Sequence, residues 1–344
     1  MRFEFKKILS NRIIVIFFAV IFAAALAYFF RAFGTFEDWG KYDPNELQYE
    51  LEYIEKYEKQ SESAIRTAER IKSETSNVYK QRLSDKIIAQ RQSRRELTAG
   101  DNKAVMWFRL ALDDTYISLL PMLFCILISA ELFCAETRSG VFKFNFTSKN
   151  GRLGLYRKKI LALMIFSACT AALYTAIQLI AIFPKYGLTS PNTPLQIYSS
   201  YANCAYNIGF LQFVFTVIGI RILCCWCMCF FTVCLALIFR SLIASAAVSG
   251  AVFALLFVLY DRTLQIHGGT DVKASQYNLH HGLLKFSPVC LFDPNGYFVS
   301  CDYVNVFSYP VTELFFNLAV SVLITAALAA LGGYLFQRKR RRLS

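Results

Sequence analysis

Charged residues are scarce in this sequence: Asp, Glu, Lys and Arg make up 18% of the 344 residues, whereas 56% are hydrophobic. Ordinary soluble domains are about a quarter charged. The apolar residues also gather in long blocks, and most of the charge lies between these blocks. This segregation excludes an ordinary soluble domain and indicates a chain that crosses a lipid bilayer several times.

Catalytic motifs are also missing from the sequence. It has no Gly-x-Ser-x-Gly, no His-Glu-x-x-His and no pair of aspartates within an apolar block, which argues against an intramembrane enzyme. It has no Gly-x-x-x-x-Gly-Lys-Ser/Thr phosphate loop, so it cannot hydrolyse ATP by that chemistry. We therefore expect no catalytic residues and no cofactor in this chain.

Cysteine is abundant, with eleven residues, and most of them fall inside apolar blocks. Five of them share one block: Cys224, Cys225, Cys227, Cys229 and Cys234. Because no histidine is near and no second Cys-x-x-Cys half occurs elsewhere, we expect no metal site. We interpret these residues as small side chains at contacts between helices. Whether Cys290 and Cys301 form a disulfide is left open by the sequence.

The net charge of +13 has a specific location. Residues 31–114 are nearly neutral, with fifteen Lys and Arg against sixteen Asp and Glu. The surplus lies in residues 1–12, residues 135–159, Arg240 and residues 337–344, all beside apolar blocks. By the positive-inside rule, this predicts a multi-pass protein of the cell membrane with both termini and the 135–159 loop in the cytoplasm. Lipid is the expected partner of such a surface, and nucleic acid is not.

The apolar blocks predict an all-α, polytopic membrane protein with about six transmembrane helices. The predicted spans are residues 13–30, 115–134, 160–183, 222–239, 242–260 and 311–336. The predicted connections are an interfacial helix at 1–12, a large external helical insert at 31–114, a cytoplasmic loop at 135–159, an external loop with an interfacial helix at 184–221, an external loop at 261–310 and a cytoplasmic basic tail at 337–344. We divide the apolar stretch from Ile208 to Phe239 at Arg221, because it is too long for one perpendicular crossing, and expect Arg221 to face the outer headgroups.

The insert at residues 31–114 has its own pattern. Between Asn45 and Leu97 it contains neither proline nor glycine, and good helix formers are abundant. One straight helix would reach roughly 80 Å at 1.5 Å per residue, so we favour a helical hairpin that bends near residues 73–77. A solvated helical insert without a specific partner is the alternative.

The predicted cytoplasmic loop mixes glycines, cations and apolar side chains. Its notable residues are Glu136, Arg138, Gly140, Val141, Phe142, Phe144, Gly151 and Arg152. Such a mixture suits a short surface helix that docks into a groove of a partner. A loop that only orients the chain in the membrane is the alternative.

A family resemblance rests on this loop. The pattern Phe133-x-x-Glu136-x-x-x-Gly140, followed by a hydrophobic stretch, Gly151-Arg152 and Lys159, resembles the type-2 ABC exporter permease family. The segments Phe3-Glu4-Phe5-Lys6-Lys7 and Ser287-Pro288-Val289…Asp293-Pro294 are similar to that family as well. The resemblance implies the membrane-spanning subunit of an ABC transporter that exports a hydrophobic or amphipathic cargo, such as a peptide, an antibiotic or a lipid.

The same resemblance implies partners. They are a separate ABC ATPase subunit, which binds ATP and magnesium, and a second copy of the chain or a related permease. The eight loop residues named above would couple this ATPase to the spans, beside a helix at residues 1–10. The alternative function is a non-transporting sensor or assembly factor that binds a partner through the external helical insert.

Four polar residues fall within or at the end of predicted spans. They are Glu131, Thr170, Tyr174 and Gln178. Polar groups are costly in lipid, so they mark either a transport pathway or a contact between helices.

Overall fold

A computed structural model describes residues 10–34, 46–94, 97, 119–138, 151–186, 190–198, 201–267, 287–288, 291, 294, 297–298 and 302–338. These residues form helices with one small sheet. The helices are α1 (Arg12–Gly34), α2 (Glu46–Glu74), α3 (Val78–Gln92), α4 (Leu119–Arg138), α5 (Gly151–Tyr186), α6 (Phe210–Phe239), α7 (Leu242–His267) and α8 (Glu313–Arg338). The strands are β1 (Tyr303–Val306) and β2 (Tyr309–Thr312).

Helix α6 is the centre of the bundle. Its sequence is apolar on every face, which is typical of a helix surrounded by other helices. It packs against α4, α5, α7 and α8, and α1 packs on α4 and α5. Aromatic contacts connect α1 to both neighbours: the ring centroids of Phe18 and Phe124 are 5.0 Å apart, and those of Phe29 and Tyr174 are 5.8 Å apart.

The apolar helices of the bundle fall into two groups by length. Among the described residues, four helical segments are long and apolar enough to cross a bilayer: Leu153–Ala181, Phe210–Phe239, Leu242–Leu259 and Glu313–Arg338. The segments Ile14–Phe29 and Leu120–Ala135 are apolar helices that are shorter. These six segments overlap the six predicted spans in sequence, and the mostly helical structure agrees with the predicted all-α fold.

Several helix boundaries differ from the sequence-based prediction; α7, for example, continues to His267, seven residues beyond the predicted span. Two of the differences change the interpretation. The predicted division at Arg221 is wrong, because α6 continues through this residue and ends at Arg240, whose φ of 55° places it in the left-handed conformation. Helix α5 begins at Gly151, whereas the predicted span begins at residue 160. Charged side chains at 157–159 suggested a loop there, yet Lys, Arg and Leu are all good helix formers.

The described core of the insert, residues 46–94, forms a helical hairpin of the predicted kind. Helices α2 and α3 pack against each other and are joined at residues 75–77, where the Asn77 side chain accepts hydrogen bonds from the backbone N–H groups of Tyr79 and Lys80. Such an N-cap satisfies donors that the helix leaves free. Lys72 and Asp85 form an ion pair of 2.6 Å between the two helices.

The sheet was not predicted from the sequence. Strands β1 and β2 are antiparallel, with Tyr303 opposite Thr312 and Val306 opposite Tyr309. Their two-residue turn places Phe307 at φ 48° and Ser308 at φ 66°, a conformation usually taken by Gly or Asn. Because α8 begins at Glu313, directly after β2, the sheet and this helix are one continuous unit.

Candidate functional site

The expected coupling residues are distributed around a gap in the described chain. Glu136 and Arg138 lie in the last turn of α4, and Gly151 and Arg152 lie in the first turn of α5. The residues Gly140, Val141, Phe142 and Phe144 are outside the described ranges. Helices α4 and α5 therefore flank residues 139–150, which the sequence predicts to be a loop, and we call this end of the bundle the loop end.

Two polar contacts hold the loop end together. Lys159 is 1% exposed, and its ammonium donates a hydrogen bond of 2.9 Å to the Leu132 carbonyl and lies 5.2 Å from the centroid of the Phe133 ring. The Asn11 amide donates a hydrogen bond of 3.2 Å to Glu131 Oε1. Lys159 thus joins α5 to α4, while Glu131 joins α4 to the residue that precedes α1.

Helix α8 joins the loop end through close contacts. The Tyr156 hydroxyl of α5 donates a hydrogen bond of 2.7 Å to the Ala329 carbonyl of α8. The Tyr156 ring centroid lies 5.5 Å from that of Phe336 and 6.1 Å from that of Phe133. The Cys234 thiol donates to the Leu328 carbonyl over 3.3 Å. Side chains of α5 and α6 therefore reach two adjacent carbonyls of α8.

A second polar cluster surrounds Arg221. Its guanidinium donates from Nη1 to Thr175 Oγ1 over 2.8 Å and to Gln178 Oε1 over 2.6 Å, and it lies 5.4 Å from the centroid of the Tyr174 ring. Arg221 is only 5% exposed. The expectation that it faces the outer headgroups is therefore wrong, because α5 supplies acceptors that allow the charge to be buried.

The four polar residues expected at a pathway or a helix contact do not form one site. Tyr174 and Gln178 meet at Arg221, and Glu131 lies at the loop end. The Thr170 hydroxyl donates to the Phe166 carbonyl of its own helix over 2.8 Å. These positions place three of the residues at contacts between helices or segments, whereas the Thr170 hydrogen bond stays within α5.

The cysteines of α6 pack at helix contacts. All five are buried, and the Cys229 thiol lies 3.9 Å from the Cys125 carbonyl of α4. Within the described part of the chain, no three His, Cys, Asp or Glu side chains come together as a potential metal site. Cys290 and Cys301, and with them the possible disulfide, lie outside that part.

At the opposite end, the helical hairpin is docked onto the bundle. Lys86 of α3 donates to the Pro310 carbonyl over 2.8 Å, and the Arg82 guanidinium lies 3.9 Å from the centroid of the Tyr309 ring. The Tyr53 hydroxyl of α2 donates to the Gln196 carbonyl over 2.7 Å. Burial raises the pKa of Tyr53 well above its ordinary value. We call this the hairpin end.

The sequence analysis overlooked a polar stripe along α8. Glu313, Asn317, Ser321 and Thr325 recur every four residues, and all of them are buried. Asn317 donates to the Tyr297 hydroxyl, and the Thr325 hydroxyl donates to the Ser321 carbonyl over 2.6 Å. The four-residue spacing, which places side chains on one helical face, was the signal that could have revealed it.

At both ends of the bundle, side chains connect elements that are distant in sequence. A family model described as ABC-2 family transporter protein matches residues 1–341. Comparison with curated proteins and with solved structures gave no match. The family match covers almost the whole chain, including both ends of the bundle, so this protein belongs to the ABC-2 transporter family and is a membrane permease of that family.

Proposed function

We propose that this chain is the permease subunit of an ABC exporter, that a separate ATPase subunit drives it, and that its cargo is a hydrophobic or amphipathic peptide, antibiotic or lipid. The ATPase subunit would bind ATP and magnesium. The family match supports an ABC permease with an ATPase partner.

The observation that carries the proposal is the construction of the loop end. The loop 139–150 leaves α4 at Arg138 and returns to α5 at Gly151. Because Lys159 binds the Leu132 carbonyl, a force on the loop reaches both helices together. A partner that moves this loop during ATP hydrolysis would thereby move the spans.

The chemistry of the loop fits a docking element for the ATPase. Val141, Phe142 and Phe144 would supply apolar surface, at about 25 cal/mol per Å² removed from water. The cations Arg138 and Arg152 would meet acidic groups on the ATPase and set its orientation. Glycines at 140 and 151 would permit the turns that bound the element.

A second permease copy, or a related subunit, would complete the transporter. In α7 and in α8, only 22% of the apolar 18-residue stretch that could cross a membrane is buried within this chain. Large side chains such as Leu255 and Leu323 are 60% and 70% exposed. These faces are available to lipid and to another permease subunit. We place the assembly in the cell membrane with both termini in the cytoplasm, because the basic clusters lie at one side of the predicted topology.

Copurification from a native membrane tests the proposal. We expect an ATPase to accompany the tagged parent chain. A Phe142→Asp/Phe144→Asp variant should insert into the membrane as before and lose the ATPase. The matched control is Phe142→Leu/Phe144→Leu, which keeps the apolar surface and should retain it. An Asp variant that keeps the ATPase and its coupling would show that the loop serves only to orient the chain.

The docked hairpin favours a second candidate, a non-transporting sensor or assembly factor. Its contacts with the sheet that leads into α8 connect the helical hairpin to the bundle. The same copurification separates the two candidates. A parent chain that brings down a stable partner through its hairpin, and no ATPase, would favour the sensor.

A further inference from the structure

We propose that Tyr156 is a positioning residue that holds the loop end of α5 against α8, so that a displacement of the loop 139–150 moves α8 as well. The source of that displacement rests on the function proposed above. The contact between α5 and α8 itself does not depend on that function.

The location of Tyr156 is suited to this role. Tyr156 lies five residues after Gly151, roughly 8 Å along the axis of α5 at 1.5 Å per residue. It is therefore within the second turn after the loop. A displacement of the first turn reaches Tyr156 before it reaches the middle of the span.

The Tyr156 hydroxyl is bound to α8 in a confined space. It donates to the Ala329 carbonyl over 2.7 Å, and the residue is only 7% exposed. A Cβ atom built on Gly332 would lie 2.6 Å from the hydroxyl oxygen. This separation is shorter than real Cβ contacts, so glycine is the residue that admits the hydroxyl. Glycine weakens a helix relative to alanine, and the close approach accounts for its presence here.

Aromatic side chains fix the orientation of the Tyr156 ring. The ring centroids of Phe133 in α4, Tyr156 in α5 and Phe336 in α8 lie pairwise 5.5 to 6.4 Å apart. Edge and tilted geometries at these distances are favourable. Since Lys159 lies beside Phe133 and binds α4, the three helices share one packed contact at the loop end. We call Phe133, Tyr156, Gly332 and Phe336 the loop-end junction.

The first experiment tests the contact in the purified full-length protein by its thermal midpoint. Gly332→Ala should lower the midpoint, because its new methyl group meets the hydroxyl. In the Tyr156→Phe background, Gly332→Ala should no longer lower the midpoint and should leave it equal or raise it, because alanine favours the helix and the next contacts, Tyr156 Cζ at 3.6 Å and Cys234 Sγ at 3.7 Å, are ordinary.

The neighbouring glycine provides a matched control. A Cβ on Gly333 would have its closest contact with Tyr156 Cε1 at 3.4 Å, an atom that phenylalanine keeps. Gly333→Ala should therefore cause a smaller shift, and Tyr156→Phe should not reverse it. Additive shifts for the Gly332 pair would overturn the proposed contact.

The second experiment tests transmission in the complex with its ATPase. Spin labels on keto amino acids at positions 153 and 331, where Leu153 and Leu331 are exposed, report the α5–α8 distance without using cysteine. ATP with vanadate should leave this distance unchanged in the parent and change it in Tyr156→Phe. A reference pair at positions 255 and 331 should change in the parent, because the loop-end junction holds α8 and contains no residue of α7.

The outcomes separate the two proposals. A Tyr156→Phe complex that behaves as the parent, or a reference pair that nucleotide leaves unchanged, would overturn the role of Tyr156 in transmission. If no ATPase binds the parent chain, the exporter proposal and this transmission fail together. The comparison of thermal midpoints between the single and double variants still decides whether Tyr156 holds α5 to α8.

Discussion

The Arg221 guanidinium of α6 donates a hydrogen bond of 2.6 Å to Gln178 Oε1 of α5, although 43 positions separate the two residues in sequence. The same Nη1 atom donates to Thr175 Oγ1. In lipid, the hydrophobic effect does not drive two apolar helices together. These polar groups therefore help to join α5 and α6. This contact makes a charged residue compatible with a continuous buried helix.

Two threonines of α5 allow this contact to be measured. Thr170 and Thr175 both donate to the carbonyl four residues earlier, and Thr175 also accepts from Arg221. We expect Thr175→Val to reduce the free energy of unfolding by about 1.5–3 kcal/mol more than Thr170→Val, as for other hydrogen bonds to charged groups. Chemical denaturation in detergent measures both. When both threonine variants also carry Arg221→Leu, their free energies of unfolding should fall by equal amounts. If Thr175→Val still costs more than Thr170→Val, the hydrogen bond from Arg221 to Thr175 is contradicted.

Docking of the hairpin end depends on cations of α3. Lys86→Met should remove the hydrogen bond to Pro310 and the contact with the Tyr303 ring, whose centroid is 5.0 Å away. We expect faster amide hydrogen exchange in β1, β2 and α3, by roughly tenfold for a loss of about 1.4 kcal/mol. Lys80→Met, an exposed change on the same helix, is the control. Equal exchange in the two variants would count against docking.

Alkaline pH should loosen the hairpin end. Burial raises the pKa of Tyr53, and burial also raises the pKa of Tyr57. The unfolded chain loses these protons near pH 10 while the folded chain keeps them, so stability is complete below about pH 10 and falls as the pH rises towards the folded pKa. Tyr53→Phe should be less stable at neutral pH, because it lacks the bond to Gln196, and should show a flatter decline above pH 10. Exchange measured between pH 8 and 11 checks this, and parallel declines would refute it.

Labelling in intact cells tests the predicted topology. A membrane-impermeant maleimide should reach Ser63→Cys, which lies on the exposed surface of α2, and should not reach Lys149→Cys until the cells are permeabilised. The parent chain, with its own eleven cysteines, provides the background. Labelling of Lys149→Cys from outside would reverse the orientation and remove the basis for an ATPase at the loop.

Local sequence pattern was sufficient for most of the helices. The absence of proline and glycine from Glu46 to Gln92 predicts the two long helices, and the bend at residues 75–77 falls where the polar segment suggested it. Helix α6 shows the limit of such reasoning. Arg221 looks like the end of a span when only its neighbours in sequence are considered, because its acceptors lie 43 and 46 positions away on another helix.

Tertiary contact also explains the other differences. Lys159 was assigned to a loop, yet the Leu132 carbonyl and the Phe133 ring accommodate its charge within a helix. The turn of the β-hairpin has Phe307 and Ser308 where sequence rules expect Asn or Gly. Its strands are only four residues long and pack against α3. Contact with α3 therefore stabilises a β-hairpin whose own sequence gives little indication of it.

The direct passage from Thr312 of β2 to Glu313 of α8 gives the hairpin end an experimental use. A nanobody that binds α3 and the sheet would restrain α8, because the sheet continues directly into this helix. It would do so without entering the bilayer. Such a reagent would hold one conformation of the protein for imaging. A ligand bound at the hairpin end would thus act directly on α8, a helix of the bundle.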